Sequence, residues 1–370
     1  MHCRLAITSM SLGRCYAGHS FIHKLDMARM YGYQGIELFY EDLVDIAQQL
    51  PGRDGREKEL EAANIIRRLC HERGIAILCL QPFAHYEGLV DRQEHAKRIE
   101  KLEFWFQLAH ALHTDIVQIP SSFGPASEIS EDMSLAVADL QKAADMGLLQ
   151  SPPIRFVYET LCFGTRYNTW EQSWEMVQAV NRPNFGLCLD TFNIAGLIYA
   201  DPASPSGRTP NCDEAVRECI ARLVTTVDIR KVFYVQVVDA ERLAAPLVEG
   251  HQFYTPEQTP RMSWSRNCRL FYGEKERGAY LPVAEISRAI FQGLGFKGWV
   301  SMELFHRRMG DTDAAVPKEL ASRGATAWAK LVRDMKLRIE ETPNDIRRMT
   351  ASCNVTYERS LTYAIKASGV

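Results

Sequence analysis

The chain has 370 residues, 46% of them hydrophobic and 24% charged, with a formal net charge of -3 and a pI near 6.4. That length and apolar content support one elaborated domain around a large core, and so balanced a charge excludes the basic field that a nucleic-acid partner requires. No run of about 18 apolar residues lacks a charge, and MHCRLAITSMSLGRCYAG is no leader, so a soluble, cytoplasmic protein with no membrane partner is expected, free to form a homo-oligomer.

Short β-rich runs alternate along the chain with longer amphipathic stretches, the pattern of βα units. The expected strands are Leu5 to Met10, Gly35 to Tyr40, Ala76 to Gln81, Asp115 to Pro120, Ile154 to Glu159, Phe185 to Asp190, Val232 to Asp239 and Trp299 to Phe305. Helical stretches are expected at roughly 20–40, 57–73, 91–113, 130–147, 169–181, 213–227, 282–293 and 315–338, several closed by Gly or Pro. Eight pairs in strict alternation predict an α/β fold, a closed (β/α)8 TIM barrel over residues 1–338, and no G-x-G-x-x-G follows the first run to suggest a dinucleotide site. The connections at about 191–212 and 240–281, after the sixth and seventh strands, are long enough for lids or binding loops on the face where barrel active sites are built. Residues 339–370 read as a polar, disordered tail. Ten cysteines without a CxxC pair, among them Cys79 and Cys188 inside strand runs, read as reduced small hydrophobes.

Four strand runs end on an oxygen-bearing residue: Glu159, Asp190, Gln236 and Glu303. Three carboxyls and an amide buried beside apolar surface are costly without a compensating charge, and an all-oxygen set suits a divalent Mg²⁺, Mn²⁺ or Co²⁺ ion. The plain alternative is hydrogen bonding and ion pairing at the barrel rim. Asp239 competes with Gln236 as a ligand, although three residues apart on a strand they face opposite ways. His306 is either a partner to this cluster or a surface histidine. Arg261 to Tyr280 gathers Arg261, Arg266, Arg269 and Arg277 with Trp264, Phe271, Tyr272 and Tyr280, a composition suited to gripping the carboxylate of a cyclic ligand. Glu37, Gln81 and Gln118, at the ends of the second to fourth strands, are candidate pocket residues, and Arg14 and His19 follow the first strand onto the same face.

The segments LAITSMSLGRCYAGHSF, GYQGIELFYEDL, RPNFGLCLDTFNIAG, VFYVQVVDAE, MSWSRNCRLFYGE and GWVSMELF together resemble the fungal 3-dehydroshikimate dehydratases of quinate catabolism, over residues 1 to about 338. The resemblance implies a xylose-isomerase-like barrel, a divalent metal held by Glu159, Asp190, Gln236 and Glu303, and loss of water from 3-dehydroshikimate to give protocatechuate. It implies Ser265 and Arg269 as substrate contacts, with Arg269 on the carboxylate, and it favours Gln236 over Asp239. Gln81 and Glu37 are expected to contact substrate as well. Related bacterial enzymes carry a histidine, the proposed base, where this chain has Asn193. Asparagine is no base at neutral pH, so Asn193 is expected to orient substrate or water while Glu159, Glu303 or a metal-bound hydroxide takes the proton. A keto-sugar isomerase or epimerase, and a non-catalytic metabolite sensor, are the competing readings. The arginine-rich loop disfavours the sugar, and the complete ligand set disfavours the sensor.

Overall fold

The computed structural model describes residues 2–52 and 55–339. Eight parallel strands, β1 (Arg4–Thr8), β2 (Gly35–Phe39), β3 (Ala76–Gln81), β4 (Ile116–Pro120), β5 (Arg155–Glu159), β6 (Phe185–Asp190), β7 (Val232–Gln236) and β10 (Trp299–Met302), close into a barrel in which β10 pairs with both β7 and β1. β8 (Asp239–Ala240) and β9 (Arg269–Leu270) form a short antiparallel ribbon outside it.

The alternation along each strand decides what meets in the barrel interior. Ala6, Cys79, Ile116, Val157, Cys188 and Tyr234 pack together in one buried apolar cluster. Two residues further along the same strands stand Thr8, Gln81, Gln118, Glu159, Asp190 and Gln236, which the period of two places on the same inner face, one layer nearer the strands' C-terminal ends. Ser301 and Glu303 continue this pattern on and just past β10. The opposite parity, such as Leu5, Ile7, Ile36 and Leu38, joins the large core beneath the helices.

Several strands stop short of their expected ends. The chain leaves β1 at Thr8 for a 3-10 turn at Ser9–Leu12, and hydroxyls replace the ladder there: Ser9 Oγ accepts from the Phe39 N–H at 3.0 Å, while Ser11 Oγ donates to the Leu304 carbonyl at 2.8 Å and accepts its N–H at 2.9 Å. Gly13 follows at φ +122°, and a Cβ there would lie 2.6 Å from the His19 ring. Its carbonyl accepts from the buried Lys24 ammonium at 3.0 Å, and Lys24 also pairs with Asp42.

The helix expected at 20–40 is Phe21–Met30, ended before Gly32 (φ +84°), and the β2 to β3 connection holds two helices, Tyr40–Gln49 and Gly55–Glu72. The two long connections are not plain loops. They contain the helices Thr191–Ile198 and Pro260–Cys268, the second started by Thr259, whose side chain accepts from the Met262 N–H, with Pro260 in the first turn. The last described helix is Val316–Met335, and Ile339, placed in the tail by the sequence, forms a parallel bridge with Cys3; the rest of the expected tail, residues 340–370, lies outside the described residues. The nine described cysteines are all free thiols. Among the described residues no helix is long and apolar enough to cross a membrane.

Candidate active site

Glu159, Asp190 and Glu303 close β5, close β6 and follow β10, and one carboxylate oxygen from each lies within 4.8 Å of the others. Gln236, on β7 between them, is in register with Asp190 on one side and Ser301 on the other. All four are buried. The Gln236 amide nitrogen donates to both oxygens of Glu37, at 3.2 and 3.0 Å, which leaves its Oε1 buried and without a partner. An orphaned buried amide oxygen is costly, and a cation is its natural complement.

The surroundings fix these oxygens one by one. Asp190 caps the helix that follows it, its Oδ1 accepting from the Phe192 N–H at 2.8 Å. The Asn193 amide nitrogen donates to Glu159 Oε1 at 2.9 Å and to Asp190 Oδ2 at 2.7 Å, while its oxygen accepts from the Cys162 N–H at 3.0 Å. Gln118 donates to Glu159 Oε2. Gln81 donates to Glu37 at 2.8 Å and to Glu303 Oε1 at 3.2 Å. Asn193 is therefore a positioning residue for two acids.

Arg269 lies among the same acids. Its Nη1 is 3.0 Å from Asp190 Oδ2 and 3.0 Å from Glu303 Oε2, and its Nε and Nη2 reach Ser265 Oγ at 3.3 and 3.1 Å. Four of the five guanidinium N–H groups are thus committed in this arrangement, leaving one for the substrate carboxylate that the resemblance assigns to Arg269. The guanidinium is also sandwiched, its carbon 4.2 Å from the Phe192 ring centre and 4.8 Å from that of Phe305. Backbone pairing holds it there: β9 pairs with β8, and the Arg269 N–H donates to the Phe305 carbonyl at 3.0 Å. Sequence reading missed both rings, yet each stands two residues after a site acid, in Asp190-Thr191-Phe192 and Glu303-Leu304-Phe305.

Burial, joined by the charges of Glu303 and Asp190, pushes the Glu159 carboxyl far above its ordinary range, and burial likewise raises Asp190 and Glu303 against the pull of Arg269. With all three ionised, these carboxylates would carry two negative charges beyond what the one guanidinium offsets, which is why their protonated forms are favoured in the absence of a further cation. Together with the free Gln236 oxygen, that donor set fits one hard divalent cation.

A cavity of about 500 Å³ opens over the cluster, within the range of small-molecule sites, and Glu159, Glu303, Gln81, Gln118, Ser265 and Arg269 line it. Phe39, Phe123, Phe163 and Phe305 add aromatic surface, and Arg14, Arg266, His306 and Arg307 also face it. Asp190, Gln236, Asn193 and Glu37 lie beneath this lining. Glu37 is fully buried, accepts from Thr8 Oγ1 at 3.1 Å and from both glutamines, and burial raises its carboxyl. Its neighbours make it a support for Gln81 and Gln236 rather than a group at the cavity surface.

Other candidates are engaged elsewhere. Asp239 Oδ1 accepts from the backbone N–H groups of Ala240, Tyr280 and Leu281 at 2.7, 3.2 and 3.0 Å, anchoring the long connection. His19 meets the Asp311 carbonyl at 2.7 Å, Arg261 donates to the carbonyls of Gly196 and Ala200, and Arg277 ion-pairs with Glu274.

Comparison with known proteins agrees with this architecture. The xylose isomerase-like TIM barrel family matches residues 25–331. A 3-dehydroshikimate dehydratase of Neurospora crassa is 60% identical over 358 residues, 95% of this chain and 100% of that one. A 3-dehydroshikimate dehydratase of Pseudomonas aeruginosa is 28% identical over 76% of this chain, which spans 36% of that protein's length. Among solved structures, a xylose isomerase-like TIM barrel/4-hydroxyphenylpyruvate dioxygenase fusion protein superposes with a TM-score of 0.67 at 25% identity, over 90% of this chain and 43% of its own. The IOLI protein with a bound zinc atom shares the fold, with a TM-score of 0.64 at 17% identity over 90% and 99% of the two chains. The chain belongs to the 3-dehydroshikimate dehydratases, within the xylose isomerase-like TIM barrel family.

Proposed function

We propose that this protein is a lyase that removes water from 3-dehydroshikimate to give protocatechuate, a step of quinate catabolism. The observation that carries the reading is 60% identity to the Neurospora enzyme along its full length. The buried acid cluster beneath a cavity of small-molecule size supports it.

Glu159, Asp190, Gln236 and Glu303 are the residues suited to hold a divalent Mg²⁺, Mn²⁺ or Co²⁺ ion. When bound there, the ion would supply Lewis-acid stabilisation of negative charge at the substrate's C3 carbonyl oxygen. Removal of the C4 proton sends an electron pair toward that oxygen. The C5–O bond then breaks and the leaving hydroxide takes up a proton to depart as water, giving a dienone; loss of one C6 proton and protonation of the C3 oxygen convert that dienone into the aromatic diol. Glu159 and Glu303 are the carboxylates that line the cavity, so one of them receives the C4 proton, a contribution of about 10² to 10⁴ in rate. Asn193, Gln118 and Gln81 hold those carboxylates in place. Gln81, its nitrogen already used, offers its amide oxygen to a substrate hydroxyl, and Arg269 offers its one remaining N–H. Positioning and preorganised charge are the large terms in such a site.

The test is direct. Purified protein with Mg²⁺, Mn²⁺ or Co²⁺ should convert 3-dehydroshikimate into a product with aromatic absorbance and leave keto sugars unchanged. Isomerised sugar, or no aromatic product with any of the three ions, rejects the reading.

A further inference from the structure

Four arginines line the cavity: Arg14, Arg266, Arg269 and Arg307. Three have an acid of their own. Arg14 pairs with Glu41 at 2.8 Å, Arg307 with Glu241 at 2.6 Å, and Arg269 with Asp190 and Glu303 at 3.0 Å each. Arg266 has no hydrogen-bond or ion-pair partner among the described residues. Its position is set by the helix Pro260–Cys268, and partial burial, joined by the like charge of Arg14, pulls its pKa down. A guanidinium beside a cavity, facing another cation and lacking an acid, is a site short of one anion.

His306 supplies a second donor. Its Nδ1 accepts the Arg308 N–H at 3.0 Å, capping the turn Arg307–Gly310, so the ring proton is carried on Nε2. The residue is 9% exposed, lines the cavity, and its Nε2 has no partner among the described residues. Burial and the neighbouring Arg307, Arg323 and Arg277 charges keep the imidazole neutral, pushing its pKa down to about 3. It therefore donates and cannot serve as a base in this tautomer.

We infer that Arg266 and His306 form the subsite for the carboxylate of the ring-shaped substrate, with Arg266 providing the charge and His306 Nε2–H a neutral hydrogen bond. The inference rests on the reading of the ligand as a cyclic acid and moves the carboxylate contact away from Arg269.

The experiment compares 3,4-dihydroxybenzoate with catechol, which lacks the carboxylate, by titration calorimetry on Mn²⁺-loaded protein, beside steady-state kinetics. The variants are Arg266→Gln and His306→Asn. In the second, the Asn oxygen can still accept from the Arg308 N–H, so the turn is kept while the cavity donor is lost. Wild type should prefer the acid, and Arg266→Gln should weaken acid binding about 10-fold with catechol unchanged, since a charge-assisted pair is at stake. KM for 3-dehydroshikimate should rise by a similar factor with a much smaller change in kcat. His306→Asn should act in the same direction, and His306→Gln, which restores an amide donor near the Nε2 position, should recover part of the loss. Equal effects on acid and catechol, or no effect on either, would overturn the subsite, as would a wild type with no preference for the acid. If turnover is absent while the acid preference and its loss in Arg266→Gln persist, the dehydratase reading fails and the subsite stands.

Discussion

Asn193→Asp changes one nitrogen to an oxygen at constant size, at a point 2.9 Å from Glu159 Oε1 and 2.7 Å from Asp190 Oδ2. Two donated hydrogen bonds become two oxygen–oxygen contacts. With an effective dielectric near 20, a unit charge about 4 Å from another costs roughly 4 kcal/mol, and here two carboxylates are neighbours with only Arg269 to offset them. The introduced carboxyl therefore holds its proton in the native state. If its folded pKa reaches about 7, against roughly 3.9 unfolded, the variant loses about 4 kcal/mol at pH 7, at 1.36 kcal/mol per unit. The sign follows from the raised native pKa. The native state binds the extra proton, so this penalty is absent below about pH 4 and grows as pH rises, to about 1.5 kcal/mol at pH 5. Urea denaturation at pH 5 and pH 7, with chelator present, should show a deficit relative to wild type that widens by about 2.5 kcal/mol between the two. Asn193→Ala removes the bonds without adding a charge, and its deficit should not widen. An Asn193→Asp deficit that is the same at both pH values would refute the idea that this amide holds two ionisable acids together.

Gln236→Leu removes the orphaned amide oxygen, so Mn²⁺ affinity by calorimetry should fall at least 10-fold, and because it also takes away the two hydrogen bonds that Gln236 donates to the buried Glu37, the melting temperature of the metal-free protein should fall as well. Arg269→Met leaves the acid cluster without its buried cation and should destabilise the metal-free protein by about 3–5 kcal/mol, with part of the loss recovered on adding Mn²⁺. Glu303→Gln should lower kcat by at least about 10² in the aromatic-product assay, as one acid of the cluster loses its charge. Away from the site, the fully buried Glu87 has its pKa raised from 4.5 to about 7 by burial. Its folded pKa is raised, so its stability term is full below about pH 4.5 and is lost as pH rises through 7. Glu87→Gln should thus gain on wild type between pH 5 and pH 8, by up to about 3 kcal/mol in urea titrations.

Much of this site is legible as strand parity. Glu159, Asp190 and Gln236 each stand two residues beyond an apolar residue of the barrel interior, Val157, Cys188 and Tyr234, and that spacing alone puts them on the inner face. The same logic separates Asp239 from Gln236. The element boundaries are less legible because strands end where the closed ladder runs out of partners. Ser9 and Ser11 finish β1 through side-chain bonds to Phe39 and Leu304, and nothing in LAITSM marks that change. The helices inside the two long connections are hidden for a similar reason: each is short, and their caps read as something else, Asp190 as the acid that ends a strand and Thr259 as an ordinary polar loop residue.

Sequence by itself determined the eight βα units, the inward ring of oxygen-bearing residues and the cluster of arginines in the last long connection, because each depends on periods of two and 3.6 residues or on local composition. Which arginine faces which acid was decided only by barrel closure. Arg269 meets Asp190, 79 residues away, and Glu303, 34 residues away, while Arg266, three positions earlier in the chain, meets neither. Hydrogen-bond partners are set by distances of about 3 Å between groups brought together from different strands. No local pattern in the chain carries that information.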